Sequence, residues 1–85
     1  MKIKVKYLAR LREALQTSDE LLTDLDDPLT VNDIVALLRA RGGAWSLELD
    51  DTRAVRVAVN YEMCDRTKTL SDKDELAFFP PVTGG

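Results

Sequence analysis

The residues of this 85-residue chain best placed to do chemistry stand at its end, where Phe79-Pro80-Pro81-Val82-Thr83 runs into Gly84-Gly85. Glycine has no Cβ, so a Gly-Gly end passes through a channel too narrow for other residues. Six extended residues, Pro80 to Gly85, reach about 20 Å, and the two prolines stiffen the base of that reach. The arrangement suits delivery of the Gly85 carboxylate into the active site of another protein. Two terminal glycines alone also fit a loose end with no role.

Side chains offer little else. There is one cysteine, Cys64, and no histidine. A lone cysteine makes neither a disulfide framework nor a zinc site, and it fits a reducing, intracellular compartment. Without histidine, no side chain has an unperturbed pKa near neutrality, which excludes ordinary triads and His-based metal centres. Asp24, Asp26 and Asp27 lack the spacing and the closing glutamate of a calcium loop and read as a solvated turn. No metal is expected.

A chain of this length has room for one modest core, burying about 60–65% of the surface its unfolded form exposes. Function at a surface or a terminus is therefore favoured over a deep cavity. The net charge is −3, with acids and bases interspersed. No basic block marks a nucleic-acid partner. The N-terminus alternates lysine with apolar residues, unlike a signal peptide. No run is long enough to span a bilayer, so a cytoplasmic protein is expected.

The elements that must position the tail follow from periodicity. Residues 2–8 alternate, with Ile3, Val5 and Tyr7 on one face and Lys2, Lys4, Lys6 and Leu8 on the other. A short helix over 9–16 follows, with Leu8, Leu11 and Leu15 in helical register. Residues 19–26 read as a weaker strand ended by Asp26-Asp27-Pro28. Thr30 is placed to cap a helix whose Val31, Ile34, Val35 and Leu38 form an apolar stripe. Arg39 and Arg41 fall in its last turn, and Gly42 stops it. Trp45, Leu47 and Leu49 read as core in a segment of ambiguous structure. Residues 54–60 alternate again, Asn60-Tyr61-Glu62 turns the chain, and a short strand surrounds Met63-Cys64. After the turn Ser71–Asp74, residues 75–79 form the last strand, with Leu76 and Phe78 opposite Ala77 and Phe79. Helices on one face of a mixed sheet give an α+β domain over 1–79, and 80–85 is an exposed, flexible tail.

Strand parity also predicts a docking surface. If the helices cover the face of Ile3 and Phe78, then Leu8 and Phe79 are apolar residues on a polar sheet surface beside the tail. Met63 joins them from the neighbouring hairpin. Apolar clusters rimmed by charge mark interfaces, where aromatics and methionine are enriched. Arg12 is a candidate rim contact.

The run DELAFFPPVTGG over 74–85 closely resembles the end of the small subunit of molybdopterin synthase. The opening strand, Ala9-x-x-Arg12-Glu13, the capped helix after Pro28, and Val57-Ala58-Val59-Asn60 agree with it across the chain. The resemblance implies a ubiquitin-like β-grasp fold. It also implies that a ubiquitin-activating-like adenylyltransferase adenylates Gly85, and that a sulfur donor protein converts the acyl-adenylate to a thiocarboxylate. The large synthase subunit then takes the tail and uses the sulfur to build the dithiolene of molybdopterin. Both acyl states are transient, and no permanently bound cofactor is implied. Leu8, Met63, Arg12 and Phe79 would contribute to docking, with Pro80, Pro81, Val82 and Thr83 gripped on the way to Gly84 and Gly85. The family suggests a heterotetramer. Within the same class, carriers for thiamine synthesis or tRNA thiolation remain open, and from another class, a β-grasp binding module with an inert tail. The chain brings no catalytic machinery of its own.

Overall fold

The alternating strand at the N-terminus sits inside a five-stranded mixed sheet of order β2-β1-β7-β4-β5 in a computed structural model that describes residues 1–81. Strand β1 (Ile3–Tyr7) pairs antiparallel with β2 (Asp19–Leu22) and parallel with β7 (Glu75–Phe79). Strand β4 (Arg56–Val59) pairs antiparallel with β7 and with β5 (Glu62–Cys64). Ile3, Val5, Tyr7, Leu76 and Phe78 are fully buried, as the period-two pattern requires of one sheet face. Register carries the row across: Tyr7 lies beside Phe78 and Phe78 beside Val57.

That face is covered by α1 (Arg10–Leu15), α2 (Val31–Arg39) and α3 (Gly43–Glu48). Leu11 and Leu15, the α2 stripe Val31, Ile34, Val35 and Leu38, and Leu49 join the strand residues in one cluster. Helix α2 begins in a reciprocal capping box. The Asp33 backbone N–H donates to Thr30 Oγ1 at 3.3 Å, and the Thr30 backbone N–H donates to Asp33 Oδ2 at 2.8 Å.

Several expectations are corrected. Leu8 is not part of the helical stripe; it precedes α1 and is exposed. Strand β2 ends at Leu22, well before Asp26-Asp27-Pro28, because Met1 and Leu25 rather than a continued ladder hold the chain beyond it. Helix α2 ends at Arg39, so Arg41 lies outside it, and Gly42, with φ 77°, leads into α3. Of the three apolar residues assigned to the core, Leu49 is buried and Trp45 packs against the cluster, but Leu47 is exposed. A helix of six residues presents only part of its circumference to the sheet. A two-stranded pairing of β3 (Leu29–Thr30) with β6 (Thr69–Leu70) was not visible as alternation, since two residues carry none.

The edge of the sheet is closed by a polar network. Glu20 is level with Val5 and so faces the helix layer. Tyr7 Oη donates to Glu20 Oε2 at 2.8 Å, and Arg41 donates to both carboxylate oxygens at 2.9 and 2.6 Å. The same guanidinium lies 4.5 Å from the Trp45 ring centroid, and Trp45 meets Tyr7 edge-on at 5.2 Å. Arg41, and then Tyr7, hold the Glu20 carboxyl below the usual glutamate range.

A folded-state pKa below the unfolded one contributes stability above the unfolded value, near about 4.3 for glutamate. That contribution disappears as pH falls through the depressed pKa. Glu20→Gln should therefore be less stable than the parent at neutral pH and should lose less stability on acidification. Urea unfolding midpoints of both proteins across the acid range test this; parallel loss in the two would contradict it.

Candidate functional site

Among the described residues, the other face of the sheet has no helix on it. Register places Asp19, Lys6, Ala77, Ala58 and Met63 in one row across all five strands. The two alanines at the centre of this row are small, so the sheet surface dips there. The result is an open hollow of about 350 Å³ with Ala58 and Ala77 as its floor. Leu8, Met63 and Phe79 form its apolar walls. Leu8 is 42% exposed and Met63 61%, while Phe79 is half-buried. Parity along β1 and β7 thus puts Leu8 and Phe79 together as expected, and the β4–β5 hairpin adds Met63.

Arg12 is not brought to this place. It is exposed on α1, whose Leu11 and Leu15 turn to the core, and it does not line the hollow. Helix α1 belongs to the covered face, which sets Arg12 apart from the apolar cluster.

The hollow has the charged side that strand parity implies, and Tyr61 of the hairpin joins it. Lys6 Nζ lies 3.2 Å from Glu75 Oε1 and 5.9 Å from the centroid of the Tyr61 ring. The Tyr61 hydroxyl, and with it the Lys6 ammonium, holds the Glu75 carboxyl below its usual range. The Glu75 carboxylate in turn pushes the Lys6 ammonium up. At neutral pH both groups are ionised. The signal for two of the three was present in the sequence, because Lys6 shares the parity of Leu8, and Glu75 that of Phe79.

Beyond β7 the chain continues through Pro80 and Pro81, which are half-buried. Phe79 therefore stands at the point where the hollow gives way to the tail. The expectations for Val82, Thr83, Gly84 and Gly85 lie outside the described residues.

Cys64 belongs to a different, polar cleft of about 430 Å³ that it shares with Lys68 and Asp74. Burial pushes its thiol up, away from the thiolate form that a nucleophile needs. Among the described residues no three acidic or thiol side chains are grouped to hold a metal ion. No helix among them is long and apolar enough to cross a membrane.

What this arrangement can do is present an apolar, charge-edged surface beside the strand end that leads into Pro80 and Pro81. Comparison with known proteins gives the same picture a family. The pattern that describes the ThiS family matches residues 5–85. The molybdopterin synthase sulfur carrier subunit of Escherichia coli K12 is 40% identical over 83 residues, covering 98% of this chain and 99% of that one. The crystal structure of SAMP1 from Haloferax volcanii superposes with a TM-score of 0.81 at 29% identity, covering all of both chains. A chain in the complex of subunits 1 and 2 of molybdopterin-converting factor from Helicobacter pylori shares the fold, with a TM-score of 0.68 at 19% identity over the whole of both chains. The mixed sheet with helices on one face is the ubiquitin-like β-grasp, and the chain, matched from its first strand to Gly85, belongs to the ThiS family.

Proposed function

We propose that this chain is the sulfur-carrier subunit of a molybdopterin synthase and that its reactive group is the carboxylate of Gly85. The observation that carries the reading is the continuity of the bare sheet face with the tail. Phe79 walls the hollow, and the next residues are Pro80-Pro81 and the path to Gly84-Gly85. The 40% identical relative favours molybdopterin synthesis over the thiamine and tRNA branches of the same class.

The chemistry follows from the weakness of a carboxylate as an electrophile. The Gly85 carboxylate attacks the α-phosphorus of ATP on a ubiquitin-activating-like adenylyltransferase, and pyrophosphate leaves. A donor protein then supplies sulfur at the sulfide level, which displaces AMP from the acyl carbon and leaves a thiocarboxylate. Its sulfur is the nucleophile delivered to the pterin precursor in the large subunit. The carrier's part is geometric: it docks through the hollow and fixes where the tail begins. Leu8, Met63 and Phe79 make the apolar contact, and Pro80 to Thr83 span the distance to the site. All of this is assigned to the cytoplasm.

Deleting Gly85, or adding one residue after it, should abolish activation and leave the domain folded. Reactive approach needs about 3–3.5 Å, and one extended residue displaces the carboxyl carbon by about 3.3–3.6 Å. ATP–pyrophosphate exchange with the activating enzyme reads the effect, with unfolding curves on the same samples. Undiminished exchange by either variant would leave the inert-tail reading in its place.

Phe79→Ala should weaken binding to the large subunit by about 2 kcal/mol or more, as expected for an aromatic anchor. Its cost in stability should fall below the about 3–5 kcal/mol of a buried phenylalanine such as Phe78. Titration calorimetry and denaturant unfolding give the two numbers; a stability loss with unchanged binding would reverse the assignment.

Cys64→Ser should leave sulfur transfer intact, since burial raises the thiol and the tail does not need it. Single-turnover synthesis from thiocarboxylated protein is the measurement. Loss of transfer in a folded variant would point to a thiol relay.

A further inference from the structure

The β4–β5 hairpin turns through two residues, Asn60 and Tyr61, between the paired Val59 and Glu62. Their φ angles are 50° and 69°. A two-residue loop with both φ positive is the type I′ turn, whose twist matches the strands and whose usual sequence is Asn-Gly. Asn60 suits its place. Its side-chain amide donates to Asp74 Oδ1 at 2.9 Å, and its Oδ1 accepts from the Glu75 backbone N–H at 3.0 Å, locking the hairpin to β7.

Tyr61 does not suit its place. A bulky L-residue in the left-handed region is strained, and here the strain is not offset by burial, because Tyr61 is 85% exposed. Strain of this kind, held by its surroundings at a surface, points to use. The surroundings are specific. Lys6 lies under the ring, Glu75 lies against Lys6, and all three line the hollow with Met63 and Phe79.

We propose that Tyr61 is a docking residue for the large synthase subunit, its ring placed over Lys6, itself paired with Glu75, at the lip of the open-face hollow and at a turn position that prefers glycine. The inference rests on the reading of that face as the docking surface, and it adds an anchor to Leu8, Met63 and Phe79. It also gives the partner surface a chemistry. By register the open face carries Lys4, Lys6 and Arg56 against Asp19 and Glu75, in a chain of net charge −3. The partner is therefore apolar at its centre and acidic at its rim.

The test uses the full chain and its purified cognate large subunit. Dissociation constants are measured by titration calorimetry for the parent, Tyr61→Gly and Tyr61→Phe, beside their thermal unfolding. Tyr61→Gly should bind at least about tenfold more weakly, as loss of an interface aromatic does, with a Tm equal to or above the parent's because the strain is relieved. Tyr61→Phe keeps the ring and should bind within about threefold of the parent. Parent binding should weaken as salt rises, because the rim charges are screened. Parent-like binding by Tyr61→Gly, or a fall in its Tm that accounts for the loss, would overturn the proposal for Tyr61 alone. Salt-independent binding would overturn the acidic rim. Failure of the parent itself to bind the large subunit would remove the functional reading and this inference with it.

Discussion

The parallel pairing of β1 with β7 is the constraint from which the other features follow. These are the first and last strands of the sheet, and they lie side by side with Val5 beside Leu76 and Tyr7 beside Phe78. Parallel neighbours cannot be joined by a tight turn. Here the whole of the intervening chain is the connection, and its helices bury their apolar stripes on the same face of the sheet. The opposite face carries no helix among the described residues. Because side chains alternate, the same two strands supply both faces. Tyr7 and Phe78 enter the core, while Lys6, Ala77 and Phe79 reach the open surface. A slip of one residue would exchange the two sets.

The two faces carry ion pairs of different character. On the covered side, Glu20 is enclosed by Tyr7, Arg41 and Trp45 and ties the sheet edge to the C-terminal end of α2. Among the described residues no buried side-chain polar atom lacks a partner, which is the condition for keeping a carboxylate near a core. On the open side, Lys6 and Glu75 meet at the margin of an apolar hollow with an exposed tyrosine beside them. Surface pairs of this kind contribute little to stability. Their consequence is a fixed arrangement of charge on a surface that a partner can cover.

The division of labour is equally physical. A domain this small favours surface hollows over a deep cavity, the hollows among the described residues are open to solvent, and its one thiol is pushed toward the unreactive form. The β-grasp domain offers a rigid platform, an apolar surface and a stiffened exit for the tail. In the proposed function the leaving group, the sulfur and the pterin are left to the proteins that receive it.

Much of this was legible in the residues themselves. Period-two alternation marked β1, β4 and β7 and assigned Ile3, Val5, Tyr7, Leu76 and Phe78 to the core. Thr30 and the stripe Val31, Ile34, Val35 and Leu38 marked α2. The same parity put Leu8 and Phe79 on one surface once the helices were assigned a side. These features are local, since backbone geometry and side-chain periodicity fix them within a few residues. Tertiary structure alone decided the rest. The pairing of β3 with β6 joins segments of two residues each, too short to carry a pattern. Helix α3 is short, and only its packing tells Leu49 from Leu47. Glu20 turned inward because Tyr7 and Arg41, distant in sequence, meet it there. Ala58 and Ala77 make a floor, and Tyr61 stands over Lys6, because strands far apart in the chain come into register. Such contacts are set by which elements lie side by side, and no single segment contains that information.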